Sequence, residues 1–147
     1  MVRLPLMYGL PEVSREPTFF EGMLRALKTG TPIKLFEDEF RTPLWLEDAA
    51  HALCTAADSE LTGVLHVAGP QRLSRLAMGR QLAAAIGCSD APLVAARRSD
   101  LAGPEPRPHD LSLDCARYLA HFGAHPGRDM CNSLPLLLAR GPHRSLS

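Results

Sequence analysis

Val2-Arg3-Leu4-Pro5-Leu6-Met7-Tyr8-Gly9 opens the chain. All of residues 2–8 are apolar or aromatic except Arg3. Such near-continuous runs suit a strand covered on both faces, as in a parallel sheet. Gly9 and Pro11 end it. A strand of this kind belongs in the middle of a sheet. Standing at residue 2, it predicts that Met1 falls inside a larger design, whose earlier half would supply the rest of the sheet.

Outward from that strand, the pattern alternates. Pro17 is well placed as the first residue of a helix. Phe20, Met23, Leu24 and Leu27 recur at helical spacing, and Gly30 is a C-terminal stop. Ile33–Phe36 reads as a short strand before the acidic turn Glu37-Asp38-Glu39. Phe40-Arg41-Thr42-Pro43-Leu44-Trp45 is extended, because Pro43 disfavours helix at Thr42. A second helix runs from about Glu47 to Ala57, with Ala50, Leu53, Cys54 and Ala57 on one face. Gly63–Gly69 holds a short apolar strand bracketed by glycines. Ser74 caps a helix through Ile86 that Gly87 terminates.

The stretch Ala91–Asp110 is loop-rich, with Leu93–Ala96 as an edge strand. Asp114 caps a short helix through His121, and a last amphipathic helix spans Asp129–Ala139 with Met130, Leu134, Leu137 and Leu138. Residues 141–147 read as a disordered tail. The order of elements is α/β. No internal boundary divides residues 1–140.

At 147 residues the chain suits one domain with a single core. Lys+Arg and Asp+Glu number 16 each, so the formal net charge is zero. That argues against nucleic acid as a partner, since phosphate neutralisation needs a cationic surplus. No apolar run approaches the ~18 residues that span a bilayer. The apolar start carries Pro5 and lacks the cleavage pattern of a signal peptide. A cytoplasmic chain without membrane partners is expected. Cys54, Cys88, Cys115 and Cys131 stand far apart and read as reduced thiols.

The common chemical signatures are missing. No G-x-G-x-x-G loop follows a strand, so no helix N-terminus is visibly prepared for a dinucleotide pyrophosphate. His121 and His125 have metal-like spacing, but Gly123 and Pro126 break the helix that would align them. His51 and Cys54, three apart, read as packing. Arg41 stands out. It follows the acidic turn in a segment pinned by Pro43, and its planar fork of donors matches phosphate oxygens. The plainer alternative is a surface ion pair with Asp38 or Glu39. Arg107, stiffened between Pro106 and Pro108, is a second candidate of the same kind.

Taken in order, Arg3…Tyr8-Gly9, Phe40-Arg41-Thr42-Pro43, Asp48-Ala49-Ala50, Gly63…His66-Val67-Ala68-Gly69, Leu73-Ser74 and Arg107-Pro108…Asp110…Leu113-Asp114 form a pattern. It resembles the C-terminal, substrate-binding half of extended short-chain dehydrogenases/reductases. Within them it is most similar to the dTDP-4-dehydrorhamnose reductase and sugar-nucleotide-binding group. The resemblance spans roughly residues 2–140 and implies a partial Rossmann-like α/β fold. By its logic the opening strand follows the family's Tyr-x-x-x-Lys helix, and the loop after Tyr8 borders the nicotinamide. Arg41 and Arg107 match arginines that contact the substrate diphosphate, with Tyr8, Thr42 and Trp45 as weaker cleft candidates. Asp48 and Asp114 match helix-start residues, which suggests capping.

The departures carry as much weight. Tyr8 and Tyr118 have no lysine four residues on, and no Gly-rich cofactor loop is present. In the family that tyrosine gives the proton while NAD(P)H gives hydride. The resemblance therefore implies the nucleotide-sugar-binding part of an NAD(P)-dependent reductase of 4-keto nucleotide sugars. No catalytic residue and no cofactor are expected in this chain alone. The alternative is a non-catalytic binding or regulatory module of the same fold, like the methionine adenosyltransferase β-subunit. A complementing N-terminal chain, or a homodimer through the opening strand, would cover the apolar edge.

Overall fold

Pro5 cuts the opening run in two. In the computed structural model, which describes residues 1–10, 17–100 and 108–140, the strands are β1 (Val2–Arg3), β2 (Met7–Tyr8), β3 (Ile33–Phe36), β4 (Phe40–Arg41), β5 (Leu44–Trp45), β6 (Leu65–His66), β7 (Leu73–Ser74) and β8 (Leu93–Ala96). The helices are α1 (Phe19–Thr29), α2 (Leu46–Ala57), α3 (Arg75–Ala85), α4 (Ala116–Phe122) and α5 (Met130–Ala139). β1 pairs in parallel with β6, and β2 in parallel with β5. Proline has no N–H for a ladder, so one long strand becomes two short ones with different partners. The expected cover on both faces is also absent within the described chain. Val2, Leu4 and Met7 are each more than a third exposed, whereas Tyr8 is buried.

The first helix starts two residues later than Pro17 suggests. Thr18 is the cap: its hydroxyl accepts from Glu21 N, and the Glu21 carboxylate accepts from Thr18 N at 2.8 Å. This reciprocal pair satisfies two otherwise orphaned donors. Phe20, Met23, Leu24 and Leu27 are buried, and Gly30 (φ 70°) closes the helix in the left-handed region. β3 and β8 pair in parallel from Ile33↔Leu93 to Phe36↔Ala96. β4 runs antiparallel to β7, and Phe40 forms an isolated parallel bridge to Asp110. The expected α/β architecture is present as short, mostly parallel ladders packed by helices.

Helix α2 turns a different face inward from the one its alanines suggest. Asp48, Ala49 and Ala52 are buried, while Ala50, Cys54 and Ala57 are exposed. The reason is a polar anchor. Asp48 accepts from Arg128 N at 2.8 Å and from Arg128 Nη1 at 3.0 Å, which turns its face toward the loop before α5. Asp48 is therefore a tether for that loop, not a helix cap.

Two apolar clusters result. The larger joins Phe20, Met23 and Leu27 of α1, Leu76 and Leu82 of α3, and Met130, Leu134 and Leu137 of α5, with Tyr8 and Trp45. The smaller joins Leu44, Ala49 and Ala52 to Leu65, Val67, Cys115 and Tyr118. Between them runs the extended segment Phe40–Trp45. Among the described residues, no helix is long and apolar enough to cross a membrane. The expected tail at 141–147 lies outside the described residues.

Candidate functional site

Three short motifs, far apart in sequence, meet around the segment Phe40–Trp45. On one side β4 pairs with β7, bringing Arg41 opposite Leu73 and Phe40 opposite Ser74. On the other, Phe40 N donates to His109 O and Leu111 N to Phe40 O. Thr42 Oγ1 accepts from Leu113 N at 3.1 Å, and Thr42 O accepts from Gly69 N at 3.3 Å. A Cβ on Gly69 would overlap the Pro43 carbonyl oxygen. Only glycine allows the strand ending His66-Val67-Ala68-Gly69 to lie so close.

This junction aims Arg41. The residue is 9% exposed, and its Nη1 donates to Phe40 O at 2.6 Å. Its Nη2 lies 3.5 Å from Glu39 Oε2. The same oxygen is 3.8 Å from Nε of Arg75, the first residue of α3. The Arg75 guanidinium sits over the Phe19 ring, 4.1 Å from its centroid. Burial, then the nearby Arg41 charge, pull the Arg75 pKa below its ordinary value. Arg41 also lines a cavity of about 570 Å³ between Arg3–Leu6 and Asp110–Leu113. The ion pair with Glu39 thus exists, but it is buried, not the surface pair that sequence alone suggests.

The far wall of the cavity is fixed from outside. Asp110 accepts from Ser112 N at 2.8 Å and from Arg72 Nε at 2.8 Å. The Ser112 groups, then Arg72, hold its carboxyl well below the usual carboxylate range. Arg72 in turn stacks 3.6 Å from the Phe40 ring centroid.

The weaker candidates part company with Arg41. Tyr8 is 2% exposed, beside Phe20 and hydrogen-bonded to Ser133 Oγ, whose own hydroxyl donates to Met130 O. Burial pushes its pKa up to about 12, against the opposing pull of Ser133. The phenol is a core fixture and does not face the cavity. Trp45 is likewise buried, under the guanidinium groups of Arg128 and Arg140. Thr42 borders the site but spends its hydroxyl on Leu113. Arg107 lies outside the described residues. Asp114 stands one residue before the cap position, which Cys115 takes without a side-chain cap bond, and its carboxylate accepts from Ala116 N at 2.7 Å instead. His51, Cys54 and His121 are exposed, and no group of His, Cys, Asp and Glu suited to a metal occurs among the described residues.

Sequence reasoning passed over Arg75. The signal was there: with Ser74 as cap, residue 75 is the first of its helix, where a cation opposes the helix dipole. A residue that breaks a local rule marks a position set by something other than helix stability.

The sequence matches the family model of the RmlD substrate binding domain over residues 1–140. The chain belongs to that family. Solved structures carry the same fold. A dTDP-4-dehydrorhamnose reductase from Bacillus anthracis, in complex with NADP, aligns with a TM-score of 0.78 at 16% identity over 95% of this chain and 47% of that one. The Clostridium acetobutylicum dTDP-4-dehydrorhamnose reductase aligns at 0.77 and 20% identity, over 95% and 47%. A Bacillus anthracis dTDP-glucose 4,6-dehydratase in complex with NAD gives 0.72 and 14%, over 94% and 42%. The chain therefore spans just under half the length of these proteins. A search of curated protein sequences finds no match.

Proposed function

We propose that this chain binds a nucleoside-diphosphate sugar and serves as the substrate-binding part of an NAD(P)-dependent sugar-nucleotide reductase acting on a 4-keto sugar. The observation that carries the reading is Arg41: a buried guanidinium held at the meeting point of the family motifs, on the wall of an open cavity. A guanidinium fork aimed by backbone and carboxylate contacts suits bidentate contact with a phosphate group. Arg107 is the proposed second contact, on the strength of the family resemblance.

The chain's own residues supply binding and orientation in this reading, not proton transfer. Burial makes the Tyr8 phenol a weaker acid than a free tyrosine, and its hydroxyl is engaged with Ser133 in the core, so it is unsuited to protonate a substrate carbonyl. NAD(P) supplies hydride in the intact enzyme, and it is not expected to bind here. The exposed edge at Val2, Leu4 and Met7 supports a complementing chain or a second copy as protein partner. Titration calorimetry with thymidine diphosphate tests the reading. Binding that weakens about tenfold on Arg41→Gln is expected, with no NADPH binding by fluorescence. Tight NADPH binding, or no response to any nucleoside diphosphate, would overturn it.

A further inference from the structure

Two arginines converge on one carboxylate oxygen beside the cavity, and the arithmetic of charge does not close. Arg41 and Arg75 both approach Glu39 Oε2, at 3.5 and 3.8 Å. Their side chains are 11% and 18% exposed, and that of Glu39 is 6% exposed. Two cations and one anion leave a net positive charge in a mostly dehydrated place, which is costly unless a further anion joins. The contacts are also slack. At 3.5 Å and beyond, a guanidinium–carboxylate pair falls short of the 2.7–2.9 Å that charge-assisted bonds prefer.

Arg75 is the sharper anomaly. Its Nη1 is buried with no hydrogen-bond partner among the described residues. It stands at the first position of α3, where the helix dipole disfavours a cation and favours an anion. Each of these costs disappears if an anion sits against Arg41 and Arg75 together.

We infer that Arg75 is a second guanidinium of the anion site, acting with Arg41 on a diphosphate group, and that Glu39 is the carboxylate that holds the pair ready and yields when the ligand arrives. This rests on the nucleoside-diphosphate reading of the Arg41 site and adds to it a residue and a mechanism. Glu39 lies against both positive charges and partly neutralises them. A diphosphate replaces that partial neutralisation with full pairing, so Glu39 is a competitor for the same donors as well as their support.

That competition gives the inference a distinctive consequence. Replacing Glu39 by glutamine keeps the shape and removes the competing charge, so anion binding tightens. A purely structural ion-pair cluster would respond in the opposite sense or not at all.

The test is titration calorimetry of the full chain with thymidine diphosphate and, separately, inorganic pyrophosphate, each at two salt concentrations. Circular dichroism checks that every variant is folded. Arg75→Gln is expected to weaken thymidine diphosphate binding about tenfold and to flatten its salt dependence. Arg75→Lys, which keeps the charge but not the fork, should recover only part of the affinity that Arg75→Gln loses. Glu39→Gln should tighten binding severalfold. If wild type binds thymidine diphosphate and Arg41→Gln weakens it while Arg75→Gln does not, the role of Arg75 falls and the wider reading stands. If wild type binds neither probe, both fall together. Unchanged or weaker binding in folded Glu39→Gln overturns the role given to Glu39.

Discussion

Glu39 and Asp48 invite comparison, since each is a buried carboxylate facing arginine, at 4% and 5% exposure. Asp48 is closed. It takes the backbone and side chain of one residue, Arg128, at 2.8 and 3.0 Å, and the Arg128 side chain is about half in solvent. Glu39 is open. Two largely dehydrated guanidinium groups reach it at 3.5 and 3.8 Å, and one of them keeps an unpartnered nitrogen. A satisfied carboxylate ties loop to helix and has nothing left to offer a ligand. A carboxylate shared loosely between two cations leaves donors available, which is the signature of a site and not of a tether.

The largest effect should come from breaking the closed arrangement. Asp48→Ala removes two good acceptors and strands the Arg128 amide, so a loss of about 2–3 kcal/mol is expected in denaturant unfolding. Thymidine diphosphate affinity should stay within about twofold of wild type. A large loss of binding at full folding would erase the distinction between the two carboxylates.

A second closed pair, Tyr8 with Ser133, sharpens the comparison through pH. The fold favours the neutral phenol, so its contribution is complete below the free tyrosine pKa of about 10 and is lost as pH rises towards about 12. Two pH units correspond to roughly 2–3 kcal/mol. Unfolding midpoints should therefore fall steeply above about pH 10, and Tyr8→Phe should flatten that slope. An unchanged slope in the variant would place the alkaline transition elsewhere.

The smallest stability effect belongs to the open site. Glu39→Gln leaves two mostly dehydrated guanidinium groups without their carboxylate, so a loss of about 1–2 kcal/mol is expected, smaller than that of Asp48→Ala because the contacts are slack and the amide still accepts from a guanidinium. A loss as large as that of Asp48→Ala would make Glu39 a tether after all.

Much of this was readable from sequence. The spacing of Phe20, Met23, Leu24 and Leu27, the stop at Gly30, the cap at Ser74 and the pinning of Thr42 by Pro43 are local effects, and the structure follows them. The family resemblance points to Arg41, and the structure buries that residue on the wall of a cavity. The misses are tertiary. Nothing local says that Asp48 will be drawn inward by Arg128, 80 residues on, and so α2 was expected to bury its other face. Tyr8 read as a cleft residue until α5 was seen to close over it. Arg75 escaped notice because its partner Glu39 lies on a different strand-and-turn, joined to it only through the β4–β7 pairing. Pro5 was visible, yet its power to give the two ends of the opening run separate partners depended on where β5 and β6 stand.

The most direct measurement is the affinity of thymidine diphosphate for wild type and Glu39→Gln, compared by calorimetry at low salt. An open anion site predicts binding in both, severalfold tighter in Glu39→Gln, with the variant still folded. Equal or weaker binding in a folded Glu39→Gln variant would contradict it.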